Sequence, residues 1–381
     1  MIFTNFKLKP VILEALFAVA LATILFDRFR FGGRIGIGEV ILAMTVYASL
    51  IIAIVNYRKI NLDNLGIKYV LALITFLLFC IAPNTILNSW LGLQYKSSLS
   101  DVIAYTSCFF FIASISFLKL NHNKIAAFCI TIVGILTLAF IGNTDAWYGD
   151  VRFSGGSDNP NRLAIYLLSS VALLAQLNIG SLKKLFFFTI LSIFIYITLS
   201  DAARLGYIAM LLTFLFITGY RSPFILPIYI AIGILTLFWV TYNFEAIINF
   251  FVDLWYAAST SDYRVNLLIF GVNAWLESPL SFLIGHGAGA FSGFAGPFEG
   301  WEAHSTPIDT LTIGGIFLFG FFYCPLIYSI FRFIKLKNNF AASCLVGFII
   351  FSLFAYVGRH PIVWFVIYCS LMNCKTIELK N

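Results

Sequence analysis

The sequence predicts an all-α polytopic membrane protein with about twelve transmembrane helices. Hydrophobic residues make up 61% of the 381 residues and charged residues only 11%, whereas soluble domains carry about 25% charged residues. The mean hydropathy is +0.94, and apolar intervals of about 17–22 residues recur along the chain, which is the length that crosses a bilayer. We therefore expect residues 1–381 to form a single integral domain in the lipid bilayer.

The apolar intervals define the predicted spans in order. No cleavable-signal pattern follows the first interval, and an even number of spans places both termini on the same side. One loop, at about 243–308, is far longer than the others, and we expect it to contain short helices. The predicted spans lie near residues 10–26, 37–56, 69–90, 99–118, 125–141, 162–179, 185–200, 205–219, 223–242, 309–331, 340–357 and 361–373.

Basic residues divide by type between the two predicted sides. Fifteen of the 24 lie in the tails and even-numbered loops and are mostly lysine, so this side is predicted to be cytoplasmic and to hold both termini. Positive loops also account for the pI of about 9.0 without a nucleic-acid partner. Arginine dominates the other side, and its planar charged group binds phosphate in a bidentate manner. That set is Arg28, Arg30, Arg34, Lys96, Arg152, Arg162, Arg204, Arg264 and Arg359.

Metal and disulfide chemistry is not indicated by the sequence. The seven cysteines fall in apolar spans or the C-terminal tail without a CxxC pair, so we interpret them as packing residues. No DxD motif occurs, and no second histidine stands four residues from a first one. We expect neither a metal site nor a cofactor. We expect arginine to supply the positive charge instead.

The stretch RFSGGSDNPNRLAIYLL, residues 152–168, leads into the sixth predicted span. Its glycines and Pro160 interrupt helix, and Asp158 or Asn159 can cap the helix that follows. A plain entry from loop to helix is one interpretation. The functional interpretation is that four polar residues face an outer cavity and bind sugar or phosphate: Arg152, Asn159, Asn161 and Arg162.

The stretch LSDAARLGYIAML, residues 199–211, makes a very short outer elbow between two predicted spans. Ser200 or Asp201 can cap the second helix, which places Arg204 in its first turn. Free N–H groups and an arginine at a helix N-terminus favour an anion. The alternative is that Arg204 anchors the span at the lipid headgroups.

Residues 263–289 precede the tenth predicted span. If 264–277 is helical, Arg264 lies opposite the polar face and points towards the bundle or bilayer. A charge there needs a partner, which a bound pyrophosphate would supply; snorkelling to the interface is the alternative. Pro279 is predicted to end this helix, and the glycines around His286 to form a flexible turn that is not a phosphate-binding Walker loop.

His304 stands just before the tenth span, whose first turn contains Asp309. Histidine exchanges a proton near neutral pH and can therefore activate a sugar hydroxyl. A histidine in a loop can equally be structural.

Four pieces of residues 150–321 together resemble the O-antigen polymerase/ligase superfamily, the Wzy polymerases and WaaL ligases of bacterial surface polysaccharide synthesis. They occur in the family's order. The pieces are SGGSDNPNRLA, LSDAARLGYIAML, YRVNLLIFGVNAWLESPLSFLIGHGAGAF and EAHSTPIDTLTIGGIFLFGFF.

The resemblance implies a glycosyltransferase of the bacterial inner membrane with a periplasmic site. It would transfer a glycan from undecaprenyl pyrophosphate to a sugar hydroxyl, with inversion and without metal. Arg204 and Arg264 would hold the pyrophosphate, and His304 would orient or deprotonate the acceptor. A chain-length regulator protein would be a further partner. The implied substrate-binding residues are Arg152, Asn159, Asn161, Arg162, Asp201, His286 and Arg359.

Three functions remain open from the sequence. Ligases often show a histidine pair or His-Asn where this chain has His304-Ser305-Thr306-Pro307, which favours a polymerase acting on a lipid-linked repeat unit. A ligase acting on lipid A–core is the sibling alternative. A flippase or other transporter of lipid-linked oligosaccharide is the third, and it is disfavoured because no internal repeat is visible and ionisable residues deep in spans are scarce. Glu14 and Asp101 lie near span ends.

Overall fold

A computed structural model describes residues 10–25, 30–31, 35–55, 64–91, 98–149, 151–219, 263–289 and 301–378. The fold in these ranges is predominantly helical, as the sequence predicts. Six of the described helices are long and apolar enough to cross a membrane by length and composition. A helix occupies each predicted span within these ranges, while the interval at 223–242 lies outside them. The count of twelve spans stays a prediction.

Within each described range, short connections join successive helices and strands. Between α3 and α4 the helix continues through one π-helical segment, Leu77–Ile81, and Thr144–Ala146 forms a 3-10 turn. The elements are α1 (Pro10–Thr23), β1 (Arg30–Phe31), β2 (Ile35–Gly36), α2 (Ile37–Val55), α3 (Leu65–Phe76), α4 (Ala82–Trp90), α5 (Ser98–Phe117), α6 (His122–Ala139), β3 (Trp147–Tyr148), β4 (Arg152–Phe153), α7 (Pro160–Gln176), α8 (Ser181–Ile197), α9 (Asp201–Gly219), α10 (Tyr263–Trp275), α11 (Pro279–Ile284), α12 (Thr306–Lys335), α13 (Asn339–Leu353) and α14 (Pro361–Glu378). Strands β1 and β2 pair antiparallel, as do β3 and β4.

Asparagine begins several of these helices. The side chain of Asn159 accepts a hydrogen bond from the backbone N–H of Asn161 at 2.8 Å, and Pro160 follows at the first helical position. This confirms the predicted cap of α7, because a short polar side chain supplies an acceptor that the first turn of a helix lacks. Asn64, Asn121 and Asn338 cap α3, α6 and α13 in the same way.

The core lies around α14 and α7, which are buried along most of their length. Trp364 of α14 is fully buried and packs edge-on against Phe109 of α5 and Phe322 of α12, with ring centroids 4.9 and 5.4 Å apart. Helices α9 and α13 approach closely where Gly206 faces Gly347, since a Cβ on Gly206 would lie 2.7 Å from the Gly347 carbonyl oxygen. Small residues of this kind allow membrane helices to pack by backbone contact.

The bundle has two ends that differ in their charges. We call the arginine end the described residues 24–25, 35–39, 98–101, 140–149, 151–162, 198–204, 301–309 and 354–361. The lysine end comprises 10–14, 64–68, 117–125, 176–184, 332–339 and 373–374. Contacts distant in sequence join the loops within each end: Arg162 donates to the Ile24 carbonyl at the arginine end, and the Asn121 N–H donates to Glu14 at the lysine end.

Candidate functional site

Arg359 pairs with two acidic residues at the arginine end. It lies in the loop between α13 and α14. Its Nη1 lies 3.0 Å from Oδ1 of Asp101 in the first turn of α5, and its Nη2 pairs with Glu302 before α12. The guanidinium also stands over the ring of Tyr356, 4.8 Å from the centroid. Arg359 therefore joins three segments that are far apart in the sequence.

The surroundings of Arg359 fix its charge and that of its neighbour His360. Burial opposes the charge of Arg359, but the carboxylates of Glu302 and Asp101 outweigh burial and raise its pKa further above the usual range. For His360, burial and then the positive charges of Arg162 and Arg359 all hold the pKa well below its usual value. The site thus contains a permanently charged arginine beside a neutral histidine at pH 7.

His304 lies in a turn that the carboxylate of Asp309 spans. The N–H of Ala303 donates to Oδ1 of Asp309 and the N–H of Ser305 donates to Oδ2, each at 3.1 Å. Asp309 is 2% exposed. His304 between these two donors has a φ of 53°, in the left-handed region, and is exposed. The turn therefore presents an imidazole at the surface from a backbone held on both sides.

Thr306 connects the His304 turn to the loop that carries Arg359. Its hydroxyl donates to the Ala355 carbonyl at 2.5 Å and accepts from the Val357 N–H at 2.9 Å. Because Glu302 also pairs with Arg359, residues 301–309, residues 354–360 and Asp101 form one connected structure. We call this set the His304–Arg359 unit.

A second set of polar residues, which we call the elbow group, surrounds the elbow between α8 and α9. Arg152 donates through Nε to the Thr198 carbonyl at 3.3 Å and through Nη2 to Oδ1 of Asn161 at 3.0 Å. Arg204 lies in the first turn of α9, as predicted, with Nη1 3.9 Å from Asp201 and its guanidinium 5.2 Å from the ring centroid of Tyr196. Of the sequence-predicted residues, the structure thus joins Arg152 to Asn161 and Asp201 to Arg204.

Arg162 lies between the two groups. It directly follows Asn161 in the first turn of α7, donates to the Ile24 carbonyl at 3.3 Å and lies 4.0 Å from Glu39. The positive charges of Arg162 and Arg359 repel each other, and both disfavour a proton on His360. The elbow group and the His304–Arg359 unit are consequently neighbours at one end of the bundle.

The glycine turn at 285–289 is a packed connection, in contrast to the flexible turn that the sequence predicts. Helix α12 is broken at Gly314 and Gly315, which leaves the carbonyls of the preceding turn without helical partners. The N–H of His286 donates to the Thr312 carbonyl at 2.8 Å, and the N–H of Gly287 donates to the Ile313 carbonyl at 3.0 Å. A Cβ on Gly285 would overlap the backbone at Ile313, so this close approach requires glycine.

The side chain of His286 is engaged inside the same region. Its Nε2 lies 2.8 Å from the Ala274 carbonyl and 3.5 Å from Glu277, and its own carbonyl accepts from Asn88 at 2.6 Å. The ring ties α10 to the turn after α11. Pro279 differs from its predicted role: α10 ends at Trp275, and Pro279 is the first residue of α11, where proline is well tolerated.

Two further predicted features are described only in part. Arg264 is in the first turn of α10, and the direction predicted for its side chain lies outside the described part of the structure. Within the described ranges, no group of three or more His, Cys, Asp or Glu side chains is placed to hold a metal ion. The seven cysteines are free thiols.

Three acidic residues of this site were not predicted as site residues. Asp101, Glu302 and Asp309 surround Arg359 and the His304 turn. Glu302 and Asp309 could have been suspected from their closeness to His304 in the sequence. Asp101 is 258 residues from Arg359 and only the fold brings the two together.

The chain matches no protein-family model, and a search of curated proteins finds no significant match. The fold and the site define only a class: a multi-helical protein that is compatible with several membrane crossings and has a polar arginine end. A function for this chain must therefore be inferred from the chemistry of the arginine end.

Proposed function

We propose that the chain is a glycosyltransferase of the bacterial inner membrane that extends glycans carried on undecaprenyl pyrophosphate. In this proposal it crosses the membrane twelve times, its termini are cytoplasmic and the arginine end faces the periplasm. The observation that supports it best is the His304–Arg359 unit. An exposed histidine, fixed in a left-handed backbone conformation, stands in a unit built around a permanently charged arginine.

The reaction needs a base for an alcohol and positive charge for a leaving pyrophosphate. The acceptor hydroxyl oxygen attacks the anomeric carbon of the donor glycan from the face opposite the pyrophosphate. The bond from that carbon to the pyrophosphate oxygen breaks, and its electron pair leaves with the pyrophosphate. His304 takes the hydroxyl proton, and Arg204 and Arg264 balance the charge that develops on the leaving group. Attack from the opposite face inverts the anomeric centre.

The elbow group gives this chemistry a second source of recognition. Arg152 and Asn161 are hydrogen-bonded to each other beside the α8–α9 elbow, and Arg204 extends from the same elbow. Amide and guanidinium groups together suit sugar hydroxyls and phosphate oxygens. Arg162 extends the group towards Arg359, so a lipid-linked sugar could contact both groups.

A ligase would use the same donor and the same bond-forming step. Only the acceptor differs, being lipid A–core in a ligase and a lipid-linked repeat unit in a polymerase. The run His304-Ser305-Thr306-Pro307 favours the polymerase.

Two structural observations favour transport as the second candidate function. Helix α12 is broken at Gly314–Gly315, and broken helices line substrate sites in many transporters. Asp101 and Asp309 are also buried acids within helices that could cross the membrane, where ionisable groups commonly serve transport. A flippase for lipid-linked oligosaccharide would use these features instead of catalysis.

Deletion of the gene in its source bacterium separates the three functions. A polymerase mutant makes lipid A–core bearing a single repeat unit. A ligase mutant makes bare core and retains polymer on undecaprenyl pyrophosphate. A flippase mutant makes bare core and retains single lipid-linked units on the cytoplasmic face. We expect the first result, restored by the wild-type chain and not by His304→Ala at equal membrane abundance.

A further inference from the structure

We propose that Asp309 is a positioning residue for His304: its carboxylate fixes the backbone on both sides of the histidine so that the imidazole meets the acceptor hydroxyl. This inference rests on the function proposed above. Asp309 itself is buried under the turn and acts through His304.

The geometry of the turn carries the inference. One oxygen of Asp309 accepts from the residue before His304 and the other accepts from the residue after it, both at 3.1 Å. Ala303 and Ser305 are both buried, so each of their N–H groups needs an acceptor inside the protein. A single rigid side chain thereby sets the backbone at Ala303 and Ser305, and the direction of the residue between them follows.

His304 differs in its position from the other residues with a left-handed backbone. Among the described residues other than glycine, Lys119, Leu199 and Lys337 also have positive φ, between 51° and 59°. Each follows the end of a helix, where a left-handed residue is a common way to terminate. Lys119 and Lys337 also show the paired backbone hydrogen bonds of that termination.

His304 precedes a helix, so helix termination does not explain its conformation. A left-handed conformation is uncommon for a residue with a β-carbon and carries an energetic cost. Asp309 supplies the compensating interactions. A backbone held in an uncommon conformation directly beneath an exposed histidine is what pre-organisation of a base requires.

The test compares Asp309→Asn with a matched control in the same helix. The substitution keeps the shape of the side chain, but the NH2 of the new amide faces one of the two backbone donors and cannot accept from it. The control Thr312→Val removes a buried hydroxyl that donates to the Asp309 carbonyl. Both proteins are purified into proteoliposomes with lipid-linked glycan extracted from the deletion strain and radiolabelled.

We expect Asp309→Asn to lower kcat by about 10–100-fold, the effect of a misplacement near 1 Å. KM for the lipid-linked donor should stay within about twofold, since the arginines are untouched. Thr312→Val should keep both constants within about twofold. Equal losses in both variants, or a loss of Asp309→Asn confined to KM, would overturn the positioning role.

A double-mutant cycle distinguishes positioning from general damage to the fold. In a His304→Ala background, Asp309→Asn should cause no further loss of turnover, because there is no imidazole left to position. A further loss equal to that in the wild-type background would show that Asp309 acts independently of His304. If Asp309→Asn does not accumulate in the membrane, Asp309→Ser enters the same cycle.

Failure of the proposed function gives a different result. Wild-type activity retained by His304→Ala would remove the histidine from catalysis. A wild-type protein that elongates no glycan would remove the transferase itself. Either outcome is seen before any Asp309 variant is measured.

Discussion

The arginine end and the lysine end of the bundle use polar groups in different ways. At the arginine end, Arg359 pairs with Asp101 and Glu302, and Arg204 pairs with Asp201. At the lysine end, a chain of neutral groups joins α6, α7 and α14. His122 contacts Asn373, Asn373 donates to Gln176, and Gln176 donates to Ser370.

We interpret the neutral hydrogen-bonding groups of the lysine end as structural and the charged groups of the arginine end as available for chemistry. Neutral amides hold helices together at low cost in a membrane, because each donor finds an acceptor without burying a charge. Burying a charged pair is costly unless it is well paired. We interpret the buried ion pair of the arginine end, together with the exposed His304, as the mark of the proposed functional end, and the lysine end supplies matched controls.

The largest expected effect compares the histidines of the two ends. His304→Ala should lower turnover by about 10²–10⁴-fold, the usual contribution of a general base. His122→Ala removes a partly buried hydrogen bond to Asn373 and should lower the melting temperature while turnover stays within about twofold. Glycan elongation by the two purified variants is the measurement. Comparable loss of turnover in both would break the distinction between the ends.

Arg359 provides the next largest effect, this time on stability. Arg359→Met leaves Asp101, whose side chain is 4% exposed, without its partner, and we expect about 3 kcal/mol of destabilisation. Adding Asp101→Asn should recover part of it, because the buried charge is removed. Lys124→Met, at an exposed lysine-end position, should change stability by less than about 0.5 kcal/mol. Thermal unfolding in one detergent compares all four proteins; no recovery in the double variant would argue against the pair.

Substitution of Arg204 tests whether the planar guanidinium matters in addition to its positive charge. Arg204→Lys keeps the charge but loses the planar donor pair, so we expect KM for the lipid-linked donor to rise about tenfold, the worth of one charge-assisted hydrogen bond. Arg332→Lys at the lysine end should leave KM within about twofold, since positive charge alone suffices at the end that we propose to be cytoplasmic. Full activity of Arg204→Lys would mean that Arg204 is a headgroup anchor.

The smallest expected effect is a pH dependence from His360. Its pKa is held well below the usual value in the native state, so below about pH 6.5 the unfolded chain binds a proton that the native chain does not. Stability should therefore fall as pH falls through this window, by up to about 1.4 kcal/mol per pH unit. Melting temperatures between pH 7.5 and 5.5 measure it. His360→Leu should flatten the curve, and an unchanged slope would exclude His360 as the cause.

The sequence predicts local features of this molecule well and long-range ones poorly. The cap at Asn159 and the position of Arg204 in the first turn of α9 depend on a few adjacent residues, and both are confirmed. The sequence places Pro279 correctly at a helix boundary but on the wrong side of it. Proline is compatible with both a stop and a first turn, and Ser278 as the cap decides between them.

The remainder depended on contacts that no local pattern encodes. The sequence predicts a flexible glycine turn because glycine permits many conformations. In the structure, the break in α12 exposes two backbone carbonyls that accept hydrogen bonds from this turn. The partnership of Arg359 with Asp101 joins the first turn of α5 to the last loop of the described chain. The count of twelve spans and the function itself stay predictions.

Glycan elongation by the purified chain is the decisive test of the proposed transferase. Proteoliposomes holding only this protein would receive radiolabelled lipid-linked repeat units, with a metal chelator present, and both chain length and released undecaprenyl pyrophosphate would be measured. We predict longer glycans and one undecaprenyl pyrophosphate released for each bond formed. Movement of the units across the bilayer without elongation or release would exclude the transferase and identify the arginine end as part of a transport pathway.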